Sequence, residues 1–202
     1  MENTGLLFIP DISGFTEFVT TIELMHSRHI IQELLELLID SNDLGLEISE
    51  IEGDAILFYK FGNPPGPSDF YALIEKMFYN FHRHLAIYDE QRTCHCNACN
   101  SAIHLSLKVI SHYGEFIGYT VKQFKKLFGK DVIVAHQLLK NDIEYHQYWL
   151  VTDNMFRENS TADIYQQLEW NKGVKKTETG EIMFMYTSLV QLRKKRDNDL
   201  IV

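Results

Sequence analysis

Apolar residues along the chain follow two spacings, and together these predict an alternation of strands and helices. The apolar run that ends at Asp11 predicts a first strand. Helical spacing follows over residues 15–38 and predicts a long helix with a break near residues 26–29. The chain therefore enters its first helix directly after an aspartate.

A predicted hairpin and a second helix come next. Residues 44–50 and 54–61 predict two strands, and the Glu52-Gly53 pair between them is typical of a short turn. A second helix is predicted to begin at a capping Ser68. Seven apolar side chains line one face of this helix: Phe70, Leu73, Ile74, Met77, Phe78, Phe81 and Leu85.

The second half of the chain continues the alternation. Apolar and polar residues alternate over residues 103–109, which predicts a strand with one buried face. Asp131 is predicted to cap a further helix. Three more strands are predicted over residues 148–152, 164–170 and 182–187.

This order, βαββαβ with a β extension, predicts an α+β fold. We expect a ferredoxin-like sandwich, with the helices on one face of a mostly antiparallel sheet. The main domain is predicted to span residues 1–152. Residues 153–202 are predicted to form an extension packed on the same domain, with a polar tail from about residue 193.

Composition narrows the classes of function. The 202 residues carry a net charge of −9 with a pI near 5.4, which argues against a nucleic-acid or anionic-membrane partner. No segment approaches the roughly 20 apolar residues of a membrane span, and we expect no leader peptide. Three cysteines crowded between positions 94 and 99 do not form a disulfide framework, so a reducing, cytoplasmic setting is predicted.

Two aspartates stand out as candidate metal ligands. Asp11 ends the first predicted strand, and Asp54 lies at the turn of the predicted hairpin. Carboxylates brought together by neighbouring strands can hold a hard divalent cation of the kind that phosphate chemistry uses. The alternative is that Asp11 caps the helix and Asp54 occupies a turn, with no metal bound.

The two segments around these aspartates resemble motifs of the class III adenylyl and guanylyl cyclase catalytic domain. LFIPDISGFTEF is similar to the first metal segment of that family, and EIEGDAILFY to the second. KVISHYGEFIGYTV is similar to the strand and glycine-rich turn that follow, and FGKDVIVAHQLL to the late helix. The resemblance covers residues 4–152 and implies the cyclase type of ferredoxin-like fold.

The resemblance also implies ligands and an assembly. Asp11 and Asp54 match the positions that bind two magnesium ions (or manganese) on a nucleoside triphosphate. The backbone amides that cradle the phosphates would be those of Ile12, Ser13, Gly14 and Phe15. Family members act as dimers with the site between protomers, so a two-fold homodimer is implied.

Two family positions are altered in ways that weaken catalysis. Ile133 and Gln137 stand where the late helix of the family carries an asparagine and a charge-stabilising arginine. Losing such groups typically costs about 10²- to 10⁵-fold in rate. Lys140, one turn further on, is a candidate replacement cation that could reach the phosphates, or else a solvated lysine at the helix end.

The matched base-recognition positions favour guanine over adenine. Glu50 and Lys126 occupy them, with signs exchanged relative to adenylyl cyclases. Guanine presents donors that suit a carboxylate and an O6 acceptor that suits an ammonium group. GTP is therefore the preferred candidate over ATP, unless Glu50 and Lys126 simply face solvent or pair with each other.

The segment Cys94-His95-Cys96-Asn97-Ala98-Cys99 lies outside the cyclase pattern. Its three thiols with His95 are candidates for a Cys₃His zinc site. A redox-active cluster and cysteines that only pack under a loop are the alternatives. The other histidines, His26 among them, are expected to be ordinary surface or hydrogen-bonded residues.

Three functions remain open at this point. The leading hypothesis is a cyclase-like domain that binds a purine nucleoside triphosphate through magnesium, with weak or no cyclase activity and a sensing or regulatory role. The second is an active divergent guanylyl or adenylyl cyclase. The third is a non-enzymatic dimeric scaffold with a structural zinc-thiolate site.

Overall fold

A seven-stranded sheet forms the centre of the protein, in the strand order β2-β3-β1-β4-β7-β9-β8. The computed structural model describes residues 3–20, 24–94, 96–156, 168–177 and 180–192. The strands of the main sheet are β1 (Thr4–Ser13), β2 (Glu47–Glu52), β3 (Ala55–Phe61), β4 (Ser106–Glu115), β7 (Tyr148–Thr152), β8 (Asn171–Thr177) and β9 (Gly180–Ser188). A separate hairpin consists of β5 (Ile117–Val121) and β6 (Phe124–Phe128).

Six α-helices accompany the sheet in the described part of the chain. They are α1 (Phe15–Thr20), α2 (Leu24–Asp40), α3 (Pro67–Gln91), α4 (Asn97–Ser101), α5 (Lys130–Leu139) and α6 (Asp153–Phe156). A 3₁₀ turn, Ala102–His104, leads into β4. Among the described residues, no helix is both long and apolar enough to cross a membrane.

The central strand β1 determines the layout because both of its faces are buried. It pairs antiparallel with β3 on one side and with β4 on the other. Leu6 and Phe8 belong to one core cluster with residues of α2 and α3, whereas Leu7 and Ile9 belong to a second cluster with residues of α5. Alternate side chains of a strand point to opposite faces, so helices cover both sides of the sheet.

The α+β fold is confirmed, but the prediction that all helices lie on one face is wrong. The side chains of α5 that are buried, Val134, Ala135 and Leu138, pack on the face opposite α2 and α3. Burial of both faces of β1 requires this second layer of helix.

Several element boundaries differ from the predicted ones. Helix α3 begins after Gly66 with Pro67 in its first turn, so Ser68 lies inside the helix and is not its cap. Gly129, and not Asp131, precedes α5. Residues 26–29 lie within a continuous α2, and Ile103 belongs to the 3₁₀ turn before β4.

The C-terminal part of the chain extends the sheet. Strand β9 pairs antiparallel with β7, and β8 pairs with β9. Strand β7 has the bounds predicted for residues 148–152, and β9 includes the predicted 182–187. The strand predicted over residues 164–170 falls largely outside the described residues, and residues 168–170 are not in a strand.

Candidate nucleotide and metal sites

Asp11 and Asp54 meet at one end of the sheet, where β1 runs between β3 and β4. Asp11 is paired in register with Ala55, so Asp54 at the β2–β3 turn lies next to it. The Ile12 amide donates to the Asp54 carbonyl at 3.1 Å, which fixes the turn against β1. Gly53 has a φ of 61°, a left-handed conformation that favours glycine and forms the tight turn directly before Asp54.

Asp11 is an unusually buried carboxylate, with only 7% of its surface exposed. Its Oδ1 atom is buried and makes no well-aligned hydrogen bond, although Lys108 Nζ lies 3.2 Å away. Burial raises the pKa of Asp11 to about 6, Lys108 opposes the shift, and the nearby charge of Asp54 adds to it. Burial also raises the pKa of Asp54.

These carboxylates fit a bound divalent cation. Asp11 Oδ1 lacks an aligned donor, and the two acids repel each other, so each would gain from a cation placed between them. Lys108 lies opposite Asp11 on β4 and supplies part of that positive charge. The sequence shows Lys108 only as a polar residue of an alternating strand, and the register of β1 with β4 is what brings it to the site.

The turn that follows Asp11 is close-packed. Gly14 has a φ of 90°, and its carbonyl accepts a hydrogen bond from the Phe18 amide at 3.0 Å to begin α1. Ser13 ends β1, and Phe15 begins α1. The predicted amide cradle is corrected at Ile12, because the Ile12 N–H is already bonded to Asp54.

Helix α5 is held at its start by a buried histidine. His112 Nε2 lies 2.9 Å from Asp131 Oδ1, and His112 Nδ1 lies 2.8 Å from Thr152 Oγ1. Asp131 also accepts a hydrogen bond from the Glu115 amide at 2.7 Å. The contacts with His112 and Glu115 outweigh burial and hold the pKa of Asp131 below its ordinary value. Asp131 therefore fastens α5 to β4 through its side chain and does not cap the helix.

The three late-helix positions differ in their exposure. Ile133 is 60% exposed, and Lys140 at the helix end is exposed as well. Gln137 is half-buried, and its Oε1 atom is buried without a hydrogen-bond partner. Ile133 and Gln137 lie one turn apart on the same side of α5, and Lys140 follows the last residue of the helix.

Glu50 and Lys126 form an ion pair with each other, which is the alternative to base recognition that the sequence left open. Lys126 Nζ lies 2.6 Å from Glu50 Oε2, and His136 Nε2 lies 3.4 Å from Glu50 Oε1. The hydrogen bond and the charge of Glu50 raise the pKa of Lys126. The pair joins the β2–β3 hairpin to the β5–β6 hairpin, and His136 was not anticipated as part of this group.

The three thiols gather around a histidine that is distant in sequence. Nδ1 of His26, in the first turn of α2, lies 3.2 Å from Cys96 Sγ, 3.5 Å from Cys94 Sγ and 3.6 Å from Cys99 Sγ. The expectation that His26 is an ordinary histidine is therefore wrong. His95, the predicted ligand, lies outside the described residues. The cluster of His26, Cys94, Cys96 and Cys99 can hold a metal ion.

The fold is similar to that of nucleotide cyclase catalytic domains. A bacterial light-regulated adenylyl cyclase superposes with a TM-score of 0.63 at 16% identity, over 95% of this chain and 97% of that one. The guanylate cyclase domain of RhGC from Catenaria anguillulae, solved in complex with GTP, superposes with a TM-score of 0.59 at 15% identity, over 93% and 97% of the two chains. At this level of identity the likeness establishes the fold.

The chain belongs to the family described as "Protein of unknown function (DUF2652)", whose model matches residues 31–148. That span contains Asp54 and the three cysteines and begins after Asp11. An uncharacterized protein of Mycobacterium tuberculosis, Rv2561/Rv2562, is 31% identical over 124 residues, which is 60% of this chain. The match spans 56% of the length of that relative, a little over half.

Proposed function

We propose that this protein is a divergent, cyclase-like domain that binds a purine nucleoside triphosphate through magnesium and has weak or no cyclase activity. The observation that carries the proposal is the buried Asp11 carboxylate beside Asp54, with one oxygen that lacks an aligned donor. Asp11 and Asp54 would hold the metal, and a bound magnesium or manganese ion would neutralise phosphate charge. Ser13, Gly14 and Phe15 offer the backbone turn nearest to these acids.

The late helix supports a binding role over efficient catalysis. Ile133 has no donor, Gln137 has no charge, and Lys140 is an exposed residue at the helix end. None of these positions supplies a fixed guanidinium of the kind that stabilises phosphoryl transfer. Nucleotide binding without rapid turnover suits a sensing or regulatory role. A cytoplasmic location is part of the same proposal.

A homodimer is part of the proposal. The β5–β6 hairpin next to α5 exposes apolar side chains that are each at least 45% accessible: Ile117, Tyr119, Val121, Phe124 and Phe128. Clusters of this kind on a small hairpin commonly mark protein interfaces. A second copy would cover them and bring its own α5 face towards the Asp11–Asp54 pair.

Base selectivity provides the test of this proposal. We expect a non-hydrolysable GTP analogue to bind more tightly than the matching ATP analogue in calorimetric titrations at saturating magnesium. Glu50 is paired with Lys126, so a bound base must replace that contact. Glu50→Gln should then reduce the preference about tenfold, because one charged hydrogen bond to the base is lost. Glu36→Gln, on the exposed side of α2, is the matched control. Equal affinity of the wild-type protein for both analogues would contradict the assignment of Glu50 and Lys126. Failure of the wild-type protein to bind either analogue would contradict the proposal itself.

A further inference from the structure

The thiol cluster provides a second metal site that is independent of the nucleotide site. We infer that His26, Cys94, Cys96 and Cys99 bind one zinc ion in a tetrahedral Cys₃His site that joins α2 to the connection between α3 and β4. The four ligand atoms all lie within 4.8 Å of one another. Four ligand atoms at that spacing can surround a single ion.

The distances are close to those of a zinc site, and the shortest lie about 0.3 to 0.4 Å below them. Zinc lies about 2.3 Å from sulfur and about 2.0 Å from nitrogen, so tetrahedral ligand atoms are about 3.5 to 3.8 Å apart. The three sulfur atoms lie 3.2 to 3.6 Å from His26 Nδ1, and Cys96 Sγ lies 3.4 Å from Cys99 Sγ. A set of three thiolates and one imidazole selects zinc over magnesium or calcium, which prefer oxygen ligands.

The loop that carries the cysteines is held by hydrogen bonds that do not involve a metal. Arg92 donates to the carbonyl of Cys94 and to the side chain of Asn100, and the Asn100 amide donates to the Cys96 carbonyl at 3.0 Å. Cys96 immediately precedes α4, and Cys99 lies within that helix. The cysteine ligands are therefore held by backbone and side-chain contacts from α3 and α4.

A second layer of contacts orients the ligands. The Tyr88 hydroxyl lies 3.1 Å from Cys99 Sγ and would donate to the thiolate of a metal-bound cysteine. Arg92, which is paired with Asp89 at 2.9 Å, donates to the carbonyl of Cys94 and so supports the loop rather than a sulfur atom. A partner such as Tyr88 is typical of metal-binding cysteines, which need hydrogen bonds to their sulfur atoms.

The presence of His26 favours metal binding over redox chemistry, because one imidazole and three thiols complete a tetrahedral ligand set. The cluster also closes a large loop, because 68 residues separate His26 from Cys94. A structural tie between distant elements is the role that follows.

Metal analysis of variants of the whole protein tests the inference. Wild-type protein purified in reductant without chelators should contain one zinc per chain. His26→Ala should lower zinc affinity at least tenfold in competition with a chelating indicator, and His26→Cys should restore it because a thiolate can replace the imidazole. His29→Ala is the matched control, since His29 lies on the same helix and pairs with Glu33 at 3.1 Å.

Cobalt substitution provides a readout that does not depend on stability. Co²⁺ added to the metal-free wild-type protein should give the intense visible bands of a tetrahedral thiolate site, and His26→Cys should shift them. Three thiols should react with a thiol reagent only after zinc is removed. Absence of zinc and cobalt binding, or zinc affinity in His26→Ala equal to that in His29→Ala, would overturn the inference. Neither outcome bears on nucleotide binding, because the proposed nucleotide site uses other residues.

Discussion

Asp11→Asn is expected to make the metal-free protein more stable at neutral pH. Asp11 is charged and buried next to Asp54, and a pKa raised from 3.8 to about 6 corresponds to about 3 kcal/mol lost on ionisation. Asparagine has a similar shape without the charge. The pKa of about 6 already includes the opposing attraction to Lys108, so we expect a net gain of about 1–3 kcal/mol in the free energy of unfolding.

The same substitution should change the pH dependence. The folded wild-type protein binds its Asp11 proton more tightly than the unfolded chain does, so its stability falls as pH rises between about 4 and 6. Asp11→Asn lacks this contribution. Urea unfolding at pH 4.5 and 7.5 without divalent metal measures both effects, with exposed Asp43→Asn as control. A variant less stable than the wild type at pH 7.5 would show that the buried Asp11 charge does not destabilise the metal-free fold.

Introducing the two missing late-helix groups is expected to raise cyclase turnover. Ile133→Asn with Gln137→Arg adds a donor at an exposed position of α5 and a guanidinium at a half-buried one. A charge-stabilising arginine is typically worth about 10³- to 10⁵-fold in rate, so a gain of at least about 10³-fold is expected from GTP with manganese. Ile133 is 60% exposed, so the first substitution leaves the core unchanged.

The control for this gain is Ile133→Ser with Gln137→Met, which alters the same positions without adding charge. Product formation should be measured by separating cyclic GMP from GTP. Adding Asp54→Ala to the double variant that carries Ile133→Asn and Gln137→Arg must abolish any gained activity. If nucleotide binding persists but turnover does not rise, the late helix does not face the phosphates, and the proposed dimer geometry is wrong.

Local sequence patterns predicted most strands of the sheet, but they did not predict which face of the sheet each helix covers. Strand β7 and the β2–β3 hairpin follow from short apolar runs bounded by turn residues. The run Leu6–Ile9 is apolar at every position, and this is itself a signal of burial on both faces. That signal was available for placing α5 opposite α2 and α3, whereas the ladder that joins β9 to β7 depends on tertiary pairing.

The residues of the candidate sites also fall into those with a local sequence signal and those that only the tertiary structure brings together. Asp11 and Asp54 stand beside distinctive segments, and their proximity follows from the pairing of β1 with β3. His26 carries no local signal because its partners lie about 70 positions away, and the sequence-based prediction assigned the fourth ligand position to the adjacent His95. The pairing of Lys108 with Asp11 likewise depends on strand register, which a single-strand pattern does not contain.

The most direct test of the nucleotide site is a calorimetric titration of the wild-type protein with a non-hydrolysable GTP analogue, with and without magnesium, beside Asp11→Ala. We expect binding that requires magnesium and that weakens at least about 100-fold in the variant, since even outer-shell changes at metal sites cost about 10- to 100-fold. Binding of equal strength without magnesium, or no binding by the wild type at millimolar analogue, would contradict a magnesium-dependent nucleotide site at Asp11 and Asp54.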